Sequence, residues 1–254
     1  MTAKLEHLPA DFMLHHVETI GSTNDEAARL ASSGAPTGTI VLADRQSKGR
    51  GRLGRTWQSV PGNLHASILL RPDCTLQAAA ELSLLAGVAF AELLARHGPD
   101  DLDITLKWPN DVLIDGAKVA GILLESGGAE GGRLTHVVIG IGVNVAWSPD
   151  DMPYPVTSLA AAGFAAKPPK DWLFAYAADL ADWLDRWQRG GFAVVRDAWR
   201  ARSYGLGGPI RFRQGQEDVA GRFVDLTEGG ALLIERADGI RHELTAGDVV
   251  FADH

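Results

Sequence analysis

Between Lys48 and Arg55 the chain reads Lys-Gly-Arg-Gly-Arg-Leu-Gly-Arg, four cations and three glycines in eight residues with no acid. Glycine lets a backbone approach a ligand closely, and an arginine fork holds two oxygens of a phosphate or carboxylate at once. A loop of this kind could close over a phosphorylated nucleotide or a reactive anionic intermediate. The same residues also suit a solvated basic loop or a nucleic-acid contact.

Four further stretches carry groups that could act on a ligand. Lys107-Trp108-Pro109-Asn110-Asp111 puts a cation, an amide and a carboxylate around a proline. Asp111 suits either ordinary turn chemistry or a magnesium ion beside a nucleotide. Lys118, just past an Asp115-Gly116 turn, is either a solvated hairpin tip or an ammonium that neutralises a carboxylate and an α-phosphate together; Gly121 would then let a ligand lie against the strand. Gly21-Ser22-Thr23-Asn24 is either a helix cap or a source of hydroxyl and amide partners for a polar ligand ring. Gly140-Ile141-Gly142-Val143-Asn144 begins like a dinucleotide fingerprint, lacks the third glycine and meets Pro149 where a helix should continue. The eight histidines form no i,i+4 metal pair, and neither a P-loop nor a nucleophile elbow is present.

The elements that must position these groups follow from periodicity. Thr23 with Glu26 three residues on reads as a capping box, so a helix should run from here to about Ser33. Thr39–Ala43 and Leu64–Leu70 read as apolar strands, and Thr75 to His97 as a buried helix ended by Gly98-Pro99. Asp103 to Trp108 alternates, with Ile104, Leu106 and Trp108 on one face and Lys107 on the other. Val112–Ile114 and Lys118–Glu125 form a hairpin around Asp115-Gly116, Leu134–Val145 is another strand, and Trp172–Trp187 returns to helical spacing. Beyond Gly205 the chain becomes closely spaced short strands: Ile210–Arg213, Val219–Asp225, Ala231–Glu235, His242–Leu244 and Val249–Phe251. The expected division is residues 1–204 and 205–254.

The whole chain bounds the possibilities. It has 254 residues, 46% hydrophobic and 22% charged, which is ordinary globular composition. A net charge of -8 argues against a broad polyanion-binding face. No apolar run approaches the roughly 18 residues needed to span a bilayer, the N-terminus lacks a signal-peptide pattern, and the lone Cys74 forms no internal disulfide. These features lead to the expectation of a cytoplasmic protein with no membrane partner.

Taken in order and spacing, Gly21 to Asn24, Gln46 through Arg55, Lys107 to Asp111, Lys118 to Leu123 and Gly140 to Asn144 resemble the biotin protein ligases, from about Val17 to the C-terminus. The resemblance implies an α+β catalytic domain, a mixed sheet backed by helices as in class II aminoacyl-tRNA synthetases, with a small C-terminal SH3-like β-barrel. It implies two steps: biotin and ATP give biotinyl-5′-AMP, then biotin passes to a lysine of a biotin carboxyl carrier protein. It makes Lys118 and Arg52 the catalytic pair. Ser22, Thr23, Asn24, Gln46, Arg50, Gly51, Arg52, Lys118 and Gly121 would face biotin. Arg50, Arg52, Arg55, Trp57, Lys107, Asn110, Asp111, Gly142 and Asn144 would face ATP and the adenylate, with Asp111 on Mg²⁺. Some members carry an N-terminal winged helix and repress transcription; so few residues precede Gly21 that no operator or other nucleic-acid binding is expected. Homodimers occur among members, and no motif here fixes one. Two rivals are a lipoate ligase, with the same adenylation logic, and a non-catalytic biotin or nucleotide sensor.

Overall fold

In the computed structural model, which describes residues 12–214, 217–245 and 249–251, the chain builds two sheets. The larger holds β1 (Met13–Ile20), β2 (Thr39–Gln46), β3 (Leu64–Leu70), β4 (Ile104–Lys107), β5 (Asp111–Ile114), β6 (Ala117–Glu130) and β7 (Arg133–Val143), in the order β1-β2-β3-β7-β6-β5-β4. Strand β1 is parallel to β2 and the remaining neighbours are antiparallel, so the sheet is mixed as expected.

Alternation along each strand sorts side chains between two faces. Ala66, Ile68 and Leu70 of β3 and Ile139, Ile141 and Val143 of β7 join one core with α2 (Leu76–His97), α3 (Pro169–Gly190) and α4 (Phe192–Ala201). Val41, Leu69 and Val138 face the other way, under Ala27 and Ala31 of α1 (Thr23–Ser32). The sheet is therefore covered fully on one face and only partly on the other. The partly covered face holds the site.

Helix α2 corrects one expectation. Its Ala78–His97 stretch, with a mean hydropathy of 1.7, is long and apolar enough to cross a membrane, although Glu81 and Glu92 interrupt the run. Here it is a core helix. Trp187 and Trp183 of α3 donate their indole N–H groups to those two carboxylates, and Phe90 meets Tyr176 edge-on at 5.6 Å.

Two elements go beyond the expectations. Strand β1 is mostly exposed, so it carries no buried period, and α4 follows α3 with only Gly191 between them. The Asp115-Gly116 turn is as read, with φ of 49° and 76° at the two central residues.

The C-terminal sheet has β8 (Pro209–Gln214), β9 (Glu217–Leu226), β10 (Leu232–Glu235), β11 (Arg241–Leu244) and β12 (Val249–Phe251), antiparallel in the order β11-β10-β9-β8-β12. It is consistent with a small SH3-like unit. Among the described residues β11 and β12 remain its two edges, so the expected barrel is not closed by hydrogen bonds. Trp108 ties this sheet to the end of β4 by donating its indole N–H to the Gly230 carbonyl at 3.1 Å.

Candidate active site

A cavity of about 1060 Å³ opens on the partly covered face, between the N-terminus of α1, the loop after β2, strands β4 to β7 and the segment 152–155. It brings together Ser22, Thr23, Asn24, Gln46, Arg50, Gly51, Arg52, Arg55, Trp57, Lys107, Asn110, Asp111, Lys118, Gly121 and Gly142. Of the residues that the resemblance assigns to biotin or ATP, Asn144 stays outside this lining. Its amide instead donates to the Thr157 carbonyl at 3.0 Å and is buried.

One end of the cavity is rich in hydrogen-bond acceptors. The helix starts one residue earlier than the capping box implied: Ser22 is the cap, and its hydroxyl accepts from the Asp25 N–H at 3.4 Å. The physical reason is that Thr23 is needed elsewhere. Its backbone N–H donates to Gln46 Oε1 at 2.8 Å, and its hydroxyl lies 3.0 Å from the same oxygen. The buried Ser67 hydroxyl, from β3, sits 2.7 Å from Thr23 Oγ1 and 2.5 Å from Asn24 Oδ1. Three oxygen–oxygen contacts are thus shared by two hydroxyl protons, because neither amide oxygen carries one. Such a chain is completed by an incoming N–H donor.

The other end is cationic. Lys118 Nζ is 2.7 Å from Asp111 Oδ1 and lies over the Trp57 and Tyr154 rings, 5.6 Å and 5.7 Å from their centroids. Burial lowers the Lys107 pKa, opposed by the nearby Asp111 carboxylate, and burial likewise lowers that of Arg52. Arg55, and Arg211 from β8, complete this wall. Lys107, Lys118, Arg52, Arg55 and Arg211 therefore face one carboxylate, Asp111, among the lining residues. Such a surplus of positive charge suits a polyanion.

Lys118 reaches this wall through a bulge. The β5–β6 register passes from Val112↔Ala120 to Leu113↔Lys118, so Val119 has no register partner on β5. Strict alternation would set Lys118 and Gly121 on opposite faces. The unpaired residue turns the lysine to the cavity side, where a Cβ on Gly121 would lie 3.4 Å from Lys118 Nζ.

Strand glycines keep the floor flat. Gly121 of β6 pairs with Gly142 of β7, and the Trp57 indole lies across both: a Cβ on Gly142 would come 2.5 Å from Trp57 Cε2. Gly140, two residues earlier on the same face, leaves room for the Asn24 amide. The Gly-x-Gly of this segment thus lies within a strand and admits two side chains, a different use from a dinucleotide turn. Trp57 Nε1 is buried with no hydrogen-bond partner among the described residues.

The glycine-arginine loop folds back on itself. Gly51 N–H donates to the Arg55 carbonyl at 2.7 Å, Trp57 N–H donates to the Gly49 carbonyl at 3.0 Å, and Leu53 at the tip has φ of 56°. Arg50 turns away from the cationic wall. Its guanidinium meets Asp25 at 2.7 Å, Glu125 at 3.0 Å and the Ser22 hydroxyl at 3.1 Å, and the Asp25 contact does most to raise its pKa.

Sequence reasoning missed Ser67, Glu125, Asn63 and Tyr154. Ser67 and Glu125 sit inside strand patterns that signal only packing. Asn63 accepts from the N–H groups of Val145, Ala146 and Trp147 at 3.0 to 3.1 Å, fixing the start of the segment that brings Tyr154 to Lys118. Its place in Pro61-Gly62-Asn63 reads simply as turn chemistry.

Comparison with known proteins identifies the family. The model of the biotin/lipoate A/B protein ligase family matches residues 17–144, and that of the biotin protein ligase C-terminal domain matches residues 205–252. A biotin–[acetyl-CoA-carboxylase] ligase of Paracoccus denitrificans is 39% identical over 236 residues, 91% of this chain and 97% of that protein. Its namesake from Mycobacterium tuberculosis is 34% identical, covering 92% and 87%. The structure of a biotin protein ligase from Aquifex aeolicus in complex with biotin and ATP superposes with a TM-score of 0.77 at 28% identity, covering 95% of this chain and 99% of that one. The chain belongs to the biotin/lipoate A/B protein ligase family.

Proposed function

We propose that this protein activates biotin with ATP and transfers it to a lysine of a biotin carboxyl carrier protein, with residues 1–204 forming the catalytic domain and 205–254 the C-terminal domain. The observation that carries the reading is the polarity of one cavity: acceptors at the buried Thr23 and Asn24 and the half-buried Gln46 at one end, a cationic wall at the other. A urea N–H of biotin completes the proton-poor chain, and the acid tail then runs toward Lys118.

In the first step a carboxylate oxygen of biotin attacks the α-phosphorus of ATP, the bond to the β-phosphate oxygen breaks, and pyrophosphate leaves. No protein nucleophile is needed. The barrier comes from bringing two anions together, so charge stabilisation and alignment do the catalysis. Lys118 is held by Asp111 and two rings where carboxylate and α-phosphate meet. Lys107, Arg52 and Arg55 hold the phosphates, Asn110 and Gly142 border the nucleotide, and Trp57 packs on adenine. Gly51 supplies backbone to the loop, which keeps water from the anhydride. In the second step the carrier lysine amine attacks the acyl carbon, AMP leaves, and the amine proton goes to solvent.

Among the described residues no three His, Cys, Asp or Glu side chains are grouped to hold a metal ion. Mg²⁺ commonly takes one or two carboxylates, with phosphates and water supplying the rest, so a lone Asp111 fits a metal that arrives with ATP. Mg²⁺ would neutralise phosphate charge there. The buried Cys74 thiol is compatible with a reducing cytoplasm.

The test is biotin transfer to a purified carrier domain, with ATP and Mg²⁺ omitted in turn and lipoate offered in parallel. Transfer of biotin that requires ATP supports the reading; transfer of lipoate alone, or none, overturns it.

A further inference from the structure

Glu125 lies outside the cavity lining, yet it holds two parts of the site. It projects from β6 two residues beyond Leu123, on the face shared with Gly121. One carboxylate oxygen accepts from Asn24 Nδ2 at 2.7 Å. The same carboxylate faces Arg50 Nε at 3.3 Å and Arg50 Nη2 at 3.0 Å, so two guanidinium nitrogens meet one acid.

Two consequences follow from elementary chemistry. A carboxylate only accepts, so Asn24 must turn its NH₂ toward Glu125 and its Oδ1 toward Ser67. That choice orders the rest: the Ser67 proton goes to Asn24 Oδ1 and the Thr23 proton to Gln46 Oε1, which leaves the 2.7 Å contact between the two hydroxyl oxygens without a proton. The Leu123 carbonyl, 3.3 Å from the same Nδ2, favours the same orientation, and the Glu125 carboxylate at 2.7 Å is the closer and charged acceptor of the two. The second consequence concerns the loop. Arg50 stands between the α1 N-terminus, through Ser22 and Asp25, and β6, through Glu125. Its guanidinium is pinned to two acids, Asp25 and Glu125, at the margin of the cavity.

We propose that Glu125 is a positioning residue of the acid-activating site, fixing the Asn24 amide and, through Arg50, the closed position of the glycine-arginine loop. This rests on the functional reading above, with Arg50 acting as the latch of the loop and touching neither ATP nor biotin through its guanidinium.

The test compares Glu125→Ala and Glu125→Gln with the parent in biotin-dependent ATP–pyrophosphate exchange, and in tryptic cleavage of the ligand-free protein after Arg50, Arg52 and Arg55. Glu125→Ala is expected to raise the KM for biotin roughly ten- to hundredfold, the scale of losing alignment by about an ångström, and to raise the KM for ATP as well, because the released loop carries Arg52, Arg55 and Trp57. Its loop should be cut faster. Glu125→Gln keeps the shape but faces either Asn24 or Arg50 with the wrong group, so it should fall between. Faster cleavage with an unchanged KM for biotin, or a lowered Tm with both unchanged, overturns the proposal. An inactive parent would overturn the functional reading instead, and the cleavage comparison would still judge the latch.

Discussion

Two glycines two residues apart on β7 offer a sharp perturbation, because the same methyl group added at each meets a different partner. A Cβ on Gly142 would stand 2.5, 2.7 and 2.8 Å from Cε2, Cζ2 and Nε1 of Trp57. Ordinary carbon contacts are about 3.5–4.0 Å, so the indole must lift by roughly 1 Å. Its backbone N–H is held by the Gly49 carbonyl, which limits how far the side chain can retreat. Overpacking of this kind costs about 1–3 kcal/mol. Placed on the closed state of the loop, that is roughly a 5- to 150-fold loss of nucleotide affinity at 1.4 kcal/mol per decade. A Cβ on Gly140 would instead press on Asn24, against Oδ1 and with Cγ at 3.0 Å. Neither glycine has a positive φ, so alanine fits the backbone at both. Gly142→Ala is therefore expected to raise the KM for ATP, and Gly140→Ala the KM for biotin, in exchange assays with the other substrate saturating. Gly121→Ala, whose Cβ would lie 3.1 Å from one edge atom of Trp57, should resemble Gly142→Ala in milder form. If Gly140→Ala and Gly142→Ala raise the same constant, or if both lose only Tm, the division of the cavity into two ends is wrong.

Lys118→Ala should slow adenylation by about 10²–10³-fold, the usual loss for one transition-state donor, and exchange at near the parent rate would remove Lys118 from its role. Arg52→Ala should let biotinyl-AMP escape faster, read as the release rate of adenylate made in one turnover; an unchanged rate counts against the loop as a lid. Burial lowers the Lys107 pKa, and only its protonated form attracts phosphate. Rising pH should therefore cut kcat/KM for ATP before an ordinary lysine would titrate, and Lys107→Arg should move that limb to higher pH.

The chemistry-bearing residues were legible because their order along the chain is distinctive, and the cavity gathers those that the resemblance assigns to biotin or ATP, except Asn144. What escaped were effects of register. The bulge at Val119 aims Lys118, and nothing in Lys118-Val119-Ala120-Gly121 announces an unpaired residue. The cap slipped from Thr23 to Ser22 because Gln46 and Ser67, distant in sequence, claim the threonine. Arg50 and Arg52 look alike two residues apart; only the fold shows that Arg50 pairs with Asp25 and Glu125. Strand β1 was invisible because an exposed edge has no buried face to impose a period.

The most direct measurement of the central claim is a native mass spectrum of the protein after incubation with biotin, ATP and Mg²⁺ and removal of free ligand. The account predicts a retained biotinyl-5′-AMP, formed only when both substrates are present and discharged by addition of a carrier domain. Retention of unreacted biotin or ATP with no adenylate would contradict it, leaving a binding protein in place of a ligase.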